Sequence, residues 1–287
     1  MLAIYKKELK SYFTSMVGYV FISLFLVVIG IYFYVYNLSN GYANFEYVLS
    51  SISFLFIVLI PILTMRLMAE EKRQKTDQLL FTSPLSEEKI IIGKYLAVLT
   101  VFVIAMVITL IYPIILTKYG TVDLKLAYAG ILGFTMLGGA YLSIGLFIST
   151  LTENQVVAAV VCFIVVLLTY LMTGIAGMLP SDNCSAWIIF SVLFFIVCLV
   201  TYFMMHNITL SIGLGIIGEC ALAVVYFVKP SFFDGSVVKF FKWFSVIDRY
   251  DNFSLGILDL TSIIYYITLI ILFLVLTVQA IKKRRWS

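Results

Sequence analysis

The chain has 287 residues, of which 63% are hydrophobic and only 12% are charged, and its formal net charge is +4. Soluble domains are about 45–50% apolar and about 25% charged, so this composition excludes a water-soluble globule. It also excludes intrinsic disorder, which requires low hydrophobicity and high net charge. We therefore expect a polytopic membrane protein. A span needs about 20 apolar residues, so the length allows up to about eight spans and no separate soluble catalytic domain.

Intervals without charged residues predict where the membrane-spanning helices lie. The interval 183–228 holds one charged residue, Glu219, and is long enough for two spans, which we divide at His206. The sequence therefore predicts an all-α fold with about eight transmembrane helices. They are expected at about 17–36 and 47–67, between Lys94 and Lys118, between Lys125 and Glu153, between Glu153 and Asp182, at about 187–205 and 208–228, and between Asp259 and Lys282.

The distribution of basic residues predicts the orientation of these helices, because cytoplasmic loops are enriched in lysine and arginine. An even number of spans places both termini on the same side of the membrane. If that side is the cytoplasm, thirteen of the 19 basic residues lie there. They are Lys6, Lys7, Lys10, Arg66, Lys72, Arg73, Lys75, Lys89, Lys94, Lys282, Lys283, Arg284 and Arg285.

Two further segments are predicted to lie along the membrane surface. Residues 1–16 form an amphipathic pattern in which Tyr5, Leu9, Tyr12, Phe13 and Met16 share one helical face. Such a helix binds a membrane surface through its apolar face and through basic side chains that attract anionic lipid. The alternative is that these residues simply extend the first span.

The second surface segment is the predicted extracytoplasmic loop 229–259. Its apolar residues Val237, Phe240, Phe241 and Phe244 follow the i, i+3, i+4, i+7 spacing of a helix, beside lysines and a tryptophan. Aromatic, basic helices favour the boundary between membrane and water. The same helix could instead cap the outer mouth of a transport pathway.

The most polar segment, residues 69–91, is predicted to be cytoplasmic. The second span is expected to continue as a helix to about Gln74. Thr76 is a candidate N-cap for a short helix, with Asp77 favoured in its first turn by the helix dipole. Ser86 is a candidate N-cap for the helix that leads into the third span.

The short helix between these points carries an exposed apolar group formed by Leu79, Leu80 and Phe81. Pro84 would end it, because proline disfavours helical geometry in the preceding residue. A short helix held between two long membrane helices can transmit a push from a cytoplasmic partner, with the apolar residues as the anchor. The alternative is an ordinary solvated loop that is basic because of its cytoplasmic position.

The same segment resembles a known family, the type 2 permeases of ABC transporters. The resemblance lies in A-E-E-K-R at 69–73, T-D-Q-L-L-F-T-S-P-L-S at 76–86 and G-K-Y-L-A at 93–97. The ends of the chain, at 6–13 and 253–260, are similar to the gliding-motility and nitrous-oxide-reductase-accessory branch. The residues that match the central motif are Glu70, Glu71, Arg73, Thr76, Leu79, Leu80, Thr82, Pro84, Gly93 and Lys94.

The resemblance implies a single permease domain over 1–287, an exporter subunit of a bacterial cytoplasmic membrane that is not itself an enzyme. It would pair with a second permease chain, the same or related, contact lipid and bind two copies of an ABC ATPase, with no nucleic acid partner. The ATPase, not this chain, would bind ATP and Mg, and 76–83 would be its coupling helix. The usual six-span core implies that 187–228 is an added pair. The ATPase-coupling residues would be Glu70, Glu71, Arg73, Thr76, Asp77, Leu79, Leu80, Phe81 and Pro84.

Two other sequence features bear on function. Gly93-Lys94 is not part of an ATP-binding P-loop, because Tyr95 follows it and Glu88 occupies the position that requires glycine. Glu219 lies inside a predicted span, where a charge is costly, so it must be neutral, paired or exposed to water. It is either a hydrogen-bonded acid at a helix interface or the site of a cation-coupled secondary transporter. A membrane scaffold without transport is a third possible function, and no metal site is expected.

Overall fold

A computed structural model describes residues 1–76, 86–180, 182–205, 208–228 and 232–286 of the chain. Across these ranges the backbone is helical and contains no strand, which confirms the all-α prediction. The short helix predicted at 76–83 falls almost entirely in the first gap. Asp77, Leu79, Leu80, Phe81 and Pro84 therefore lie outside the described residues.

The described helices are numbered here in chain order. Before the first gap they are α1 (Leu2–Thr14), α2 (Val17–Tyr32), α3 (Phe45–Ile52), α4 (Leu55–Thr64) and α5 (Arg66–Arg73), and a π-helix (Phe33–Ser39) continues α2. The later helices are α6 (Glu87–Thr109), α7 (Ile111–Leu116), α8 (Leu124–Leu151), α9 (Gln155–Met178), α10 (Asn183–Met205), α11 (Ile208–Val228), α12 (Ser236–Phe244), α13 (Tyr250–Ser254) and α14 (Leu260–Trp286).

Within the described part of the chain, 5 helical segments are long and apolar enough to cross a membrane, and a bent pair of segments would make 6. They correspond to the first, third, fourth, fifth and last spans predicted from the charge-free intervals. A multi-pass membrane fold is therefore confirmed. The five segments are Val17–Ser39, Glu87–Leu116, Leu124–Leu151, Gln155–Met178 and Leu260–Lys283.

The second predicted span is not the continuous helix that the sequence suggested. Phe45–Ile52 and Leu55–Arg73 meet at an angle of 63°. At the break, the Ser53 hydroxyl donates to the Ser50 carbonyl at 2.7 Å. A serine that bonds back to the preceding turn competes with the helical ladder and bends the helix.

The predicted count of eight spans depends on the pair at 187–205 and 208–228. Both regions are helical, as α10 and α11. Among the described residues, however, their apolar stretches are Asn183–Ile196 and Gly215–Val228, which are shorter than a full span. The count of eight therefore stays a prediction.

The chain forms two compact units, and α9 contains the boundary between them. Unit 1 comprises residues 1–170 and 249–287, and unit 2 comprises 171–248. In unit 1, α8 is the central helix, and 78% of its most apolar stretch is buried. Its glycines admit bulky neighbours: a Cβ on Gly138 would lie 2.4 Å from the Phe102 ring. Small residues at such positions allow close helix packing in membranes.

In unit 2, α12 packs on α10 and α11 through Val237, which is 1% exposed and lies in a small core with Ala186 and Phe233. The sequence pattern had placed Phe240 and Phe244 on the same apolar face as Val237. They are 39% and 46% exposed. A helix therefore lies where the pattern predicted one, with Val237 as its buried residue, and its location at the membrane–water boundary stays a prediction.

The N-terminal helix α1 is separate from α2 and is not an extension of the first span. The two helices are divided by Met16, which has a left-handed backbone (φ +59°) and is 71% exposed. Met16 therefore does not belong to the apolar face predicted for residues 1–16. The buried side of α1 is centred on Ile4 and Tyr12. Its position at a membrane surface stays a prediction.

Candidate functional site at the base of the coupling segment

The described residues that flank the predicted coupling helix are the end of α5 and the start of α6. Helix α5 ends with Lys75 in the left-handed conformation (φ +57°). The N–H groups of Thr76 and Lys75 bond to the carbonyls of Glu71 at 3.0 Å and Lys72 at 3.1 Å. These two bonds form a Schellman motif, in which glycine is the usual left-handed residue. The chain therefore leaves α5 at a defined point, one residue before the predicted end at Gln74.

Helix α6 begins at Glu87, as predicted, with Glu87 and Glu88 in its first turn. Ser86 occupies the N-cap position in an extended conformation, but its side chain makes no capping hydrogen bond. The predicted N-cap position is therefore correct, but the hydrogen bond expected from the Ser86 side chain is not formed. The favourable interaction at this helix start comes from two carboxylates near the positive end of the helix dipole.

A buried ionic cluster joins these two helices to α1. Lys94 on α6 is 0% exposed, and its Nζ lies 3.0 Å from Glu8 Oε1 on α1 and 2.8 Å from Glu71 Oε2 on α5. The same ammonium donates to the Leu67 carbonyl at 2.8 Å. Lys7 lies 3.2 Å from Glu71 Oε1. We call Lys7, Glu8, Glu71 and Lys94 the Lys94 network.

The chemistry of the network is balanced. A lysine ammonium has three donors and no acceptor. Lys94 donates hydrogen bonds to Glu8 Oε1 and to the Leu67 carbonyl, whereas its 2.8 Å contact with Glu71 Oε2 is an ion pair without hydrogen-bond geometry. Two lysines face two glutamates, so the cluster has no formal net charge. A buried cation is tolerated only with such pairing, because removing an ion from water without a partner costs several kcal/mol.

The local sequence explains why these groups meet. On α1, Ile4, Glu8 and Tyr12 are spaced by four residues and therefore share one face, and so do Leu67 and Glu71 on α5. Gly93 precedes Lys94 and lets α1 approach α6 closely: a Cβ there would lie 3.2 Å from the Met1 carbonyl oxygen.

Helix α5 is also fixed to the central helix α8. Ser149 Oγ accepts from the backbone N–H groups of Met68 at 3.1 Å and Ala69 at 3.2 Å, and it donates to the Met65 carbonyl at 3.1 Å. The Lys72 ammonium donates to the Thr150 carbonyl near the end of α8. A cation is favourable at that negative end of a helix dipole. Helix α5 is therefore held on two sides.

A cleft of about 350 Å³ separates α1 from α5 beside the network and ends at Thr76. Tyr12 lies in its wall and donates to the Leu63 carbonyl at 2.7 Å. Burial raises the pKa of Tyr12 well above its usual range, so the phenol remains a neutral donor.

The predicted coupling residues in the described chain have different environments. Glu71 lies in the network. Glu70 pairs with Arg66 at 2.7 Å, one helical turn earlier. Arg73 is exposed. Thr76 closes the Schellman motif, and the residues that it was predicted to cap lie outside the described part of the chain.

Sequence reasoning did not single out Glu8, and it read Lys94 only as part of a motif. The usable signals were an acid among the lysines of α1 and the lysine that follows Gly93. Neither signal identifies its partner, because Glu8 and Lys94 are 86 residues apart.

Glu219 lies in unit 2, where it is partly buried between α11 and α10. The Ser191 hydroxyl donates to Glu219 Oε2 at 2.9 Å. This contact is what a hydrogen-bonded acid at a helix interface would make. Within the described ranges, no group of three or more histidine, cysteine, aspartate or glutamate side chains could hold a metal ion.

Comparison with known protein families assigns the chain. The family described as ABC-2 family transporter protein matches residues 32–278, and the chain belongs to this family. It is therefore a transporter permease, a multi-pass membrane component of a transport system. The match includes Glu71 and Lys94 but not α1, which supplies the rest of the network. No curated protein matches the chain.

Proposed function

We propose that the chain is the membrane-spanning subunit of an ATP-driven exporter in a bacterial cytoplasmic membrane. Two such permease chains, the same or related, would form the translocation pathway. Two copies of a separate ABC ATPase, with ATP and Mg bound to them, would dock on residues 76–83. Among type 2 permeases, the resemblance at 6–13 and 253–260 favours the gliding-motility and nitrous-oxide-reductase-accessory branch.

The observation that carries this proposal is the Lys94 network. It joins the two helices that flank the coupling segment, α5 through Glu71 and α6 through Lys94, and it fixes both to α1. A force applied to the segment between them would therefore move the three helices together. Flexible flanking helices would absorb the same force.

The remaining contacts support a lever that acts on the permease core. Ser149 and Thr150 on α8 hold α5 near the end of the most buried span. Helix α6 continues directly from the coupling segment into the Glu87–Leu116 span. When the ATPases close on ATP, movement of 76–83 would be passed to α6 directly and to α8 through α5.

The test is co-purification of the ATPase with a variant of the apolar anchor. Leu79→Asp with Leu80→Asp should release the ATPase, because two carboxylates cannot enter an apolar groove without a large desolvation cost. The control, Tyr119→Asp with Leu124→Asp, alters residues that are 73% and 38% exposed, one in the loop before α8 and the other at the first position of α8, and should retain the ATPase. Normal co-purification with the Leu79/Leu80 variant would refute this docking site.

The proposed orientation has its own test. After the exposed Cys184 and Cys220 are replaced by serine, single cysteines are introduced at the exposed positions Gln74 and Gly120. A membrane-impermeant maleimide should label Gly120→Cys in intact cells and should label Gln74→Cys only after lysis. The reverse pattern would place the coupling segment outside the cell.

Two other functions make different predictions. A cation-coupled secondary transporter would transport in vesicles without ATP and would lose that activity in Glu219→Gln. A scaffold would keep its cellular function when the ATPase is catalytically inactive. The Ser191–Glu219 hydrogen bond is accounted for by helix packing, so the exporter is the function that the described contacts favour.

A further inference from the structure

An apolar groove runs along unit 1 between α6 and α14 and encloses about 300 Å³. Ile91 and Val278 form its floor and are 0% and 9% exposed, whereas Ile92 and Val275 on its rims are 38% and 52% exposed. A groove of this shape, with a buried floor and open apolar rims, accepts one narrow apolar chain. The other apolar lining residues are Ile271 and Leu274.

One end of the groove is polar. Glu88, Gln279 and Lys282 line it, and the Lys282 ammonium lies 4.0 Å from Glu88 Oε1. The two side chains are 42% and 67% exposed, so this ion pair is long and hydrated. Exposed ion pairs of this kind contribute little to stability, so the two side chains can separate to bind other groups. The groove therefore ends in one accessible cation beside one accessible anion.

The length of the groove matches a lipid. Ile271 and Lys282 are eleven residues apart on α14, which corresponds to about 16 Å along a helix axis. Half of a bilayer's hydrocarbon core is about 15 Å thick. A single acyl chain would therefore extend from the polar end of the groove to the middle of the bilayer.

From these observations we propose that the α6–α14 groove is a binding site for a phospholipid whose headgroup carries both a phosphate and a primary ammonium, as in phosphatidylethanolamine. Lys282 binds the phosphate, and Glu88 accepts hydrogen bonds from the ammonium. Phosphatidylcholine fits less well, because its quaternary ammonium has no N–H to donate. Phosphatidylglycerol fits less well, because its headgroup has no cation for Glu88. The site depends on the membrane position of the two helices and not on coupling to an ATPase.

The experiment measures which lipid remains bound. The full-length protein is reconstituted in vesicles of equal parts phosphatidylethanolamine, phosphatidylglycerol and phosphatidylcholine, extracted in mild detergent, and its retained lipid is quantified by mass spectrometry. We expect about one phosphatidylethanolamine per chain, enriched about tenfold over the other two, since a charged hydrogen bond supplies a difference of that order. Glu88→Leu, which removes the hydrogen-bond acceptor, should remove the preference over phosphatidylcholine, and Lys282→Gln should weaken retention of both lipids.

A matched pair of variants tests the groove itself. Val275→Trp fills it and should abolish retention. Leu272→Trp adds the same bulk at a position on α14 that is 49% exposed and outside the groove, and it should retain the lipid. Both changes are at exposed positions, so folding should be preserved.

Four results would overturn the proposal. Retained lipid could have the bulk composition, or phosphatidylglycerol could be the enriched lipid. Val275→Trp could leave retention unchanged. Finally, a cysteine at 275 could form disulfide-linked dimers in the bilayer, which would show that a second copy of the chain covers the groove.

Discussion

Replacing Lys94 with methionine is the sharpest test of the ionic cluster. Methionine has a similar volume and flexibility but no charge. The change leaves Glu8 and Glu71, whose side chains are 12% and 11% exposed, without the cation between them. It also leaves the Leu67 carbonyl without its lysine donor.

The expected magnitude follows from these contacts. Removing one partner of a buried ion pair costs about 3–5 kcal/mol, because the remaining charge is buried without compensation. Lys7 can compensate only in part. It is 61% exposed and lies 3.2 Å from Glu71, but 3.9 Å from Glu8. We therefore expect Lys94→Met to lower the unfolding free energy by about 3–5 kcal/mol, with Glu8 the less compensated acid.

Reversible unfolding in mixed detergent micelles measures this change. The matched control is Lys7→Met, which removes an exposed partner of the same network and should cost at most about 1 kcal/mol. Adding Glu8→Gln to Lys94→Met removes one of the stranded charges and should recover part of the stability. The reasoning fails if the two lysine variants are equally stable, or if Glu8→Gln worsens Lys94→Met.

Two backbone predictions can be checked with the same unfolding assay. Lys75→Gly should stabilise the end of α5 by about 1 kcal/mol, because the left-handed conformation is costly for lysine; Gln74→Gly, at an ordinary φ of −83°, should destabilise by about 0.5–1 kcal/mol. If both glycine variants changed the unfolding free energy in the same direction, the left-handed conformation assigned to Lys75 would be contradicted. Gly93→Leu should destabilise by about 1–3 kcal/mol and speed hydrogen exchange in α1, because its Cβ would press on the Met1 carbonyl. The control is Gly174→Leu, where a Cβ meets nothing within 4 Å. It should change neither the unfolding free energy nor the exchange in α1, and an equal loss of stability in this variant would refute the packing argument.

Much of the fold was predictable because spans are set by a strong local rule. Charged residues are costly in the hydrocarbon core, so their absence marks helices such as α8 and α14. The rule does not detect a bend that introduces no charged residue, which is why the break at Ser53 was missed. It also does not separate lipid-facing from protein-facing apolar residues, so the pattern at 237–244 could not show that Val237 alone of its four apolar residues is buried.

The candidate site was predictable only in part. Its place in the chain could be read from the polar segment 69–91, since such a concentration of charge stands out in an apolar sequence. Its partners could not. The contact between Glu8 and Lys94 is set by how α1 folds back on α6, which no local periodicity encodes. The end of α5 was predicted to within one residue, although the left-handed position after it is occupied by Lys75 and not by the glycine that usually marks such a turn.

The pairing of Gly93 with Lys94 has a physical reason in this structure. Consecutive residues on a helix point about 100° apart, so the two side chains face neighbouring sectors of α6. Gly93 provides the space into which α1 packs, and Lys94 reaches the carboxylates of both α1 and α5. Either residue without the other would be ineffective: a larger side chain at 93 would hold Glu8 away from the ammonium, and an uncharged residue at 94 would leave two buried acids facing each other. The N-terminal helix is therefore fixed to α5 and α6, the helices that flank the predicted coupling segment, and the buried Lys94 is the group that joins all three.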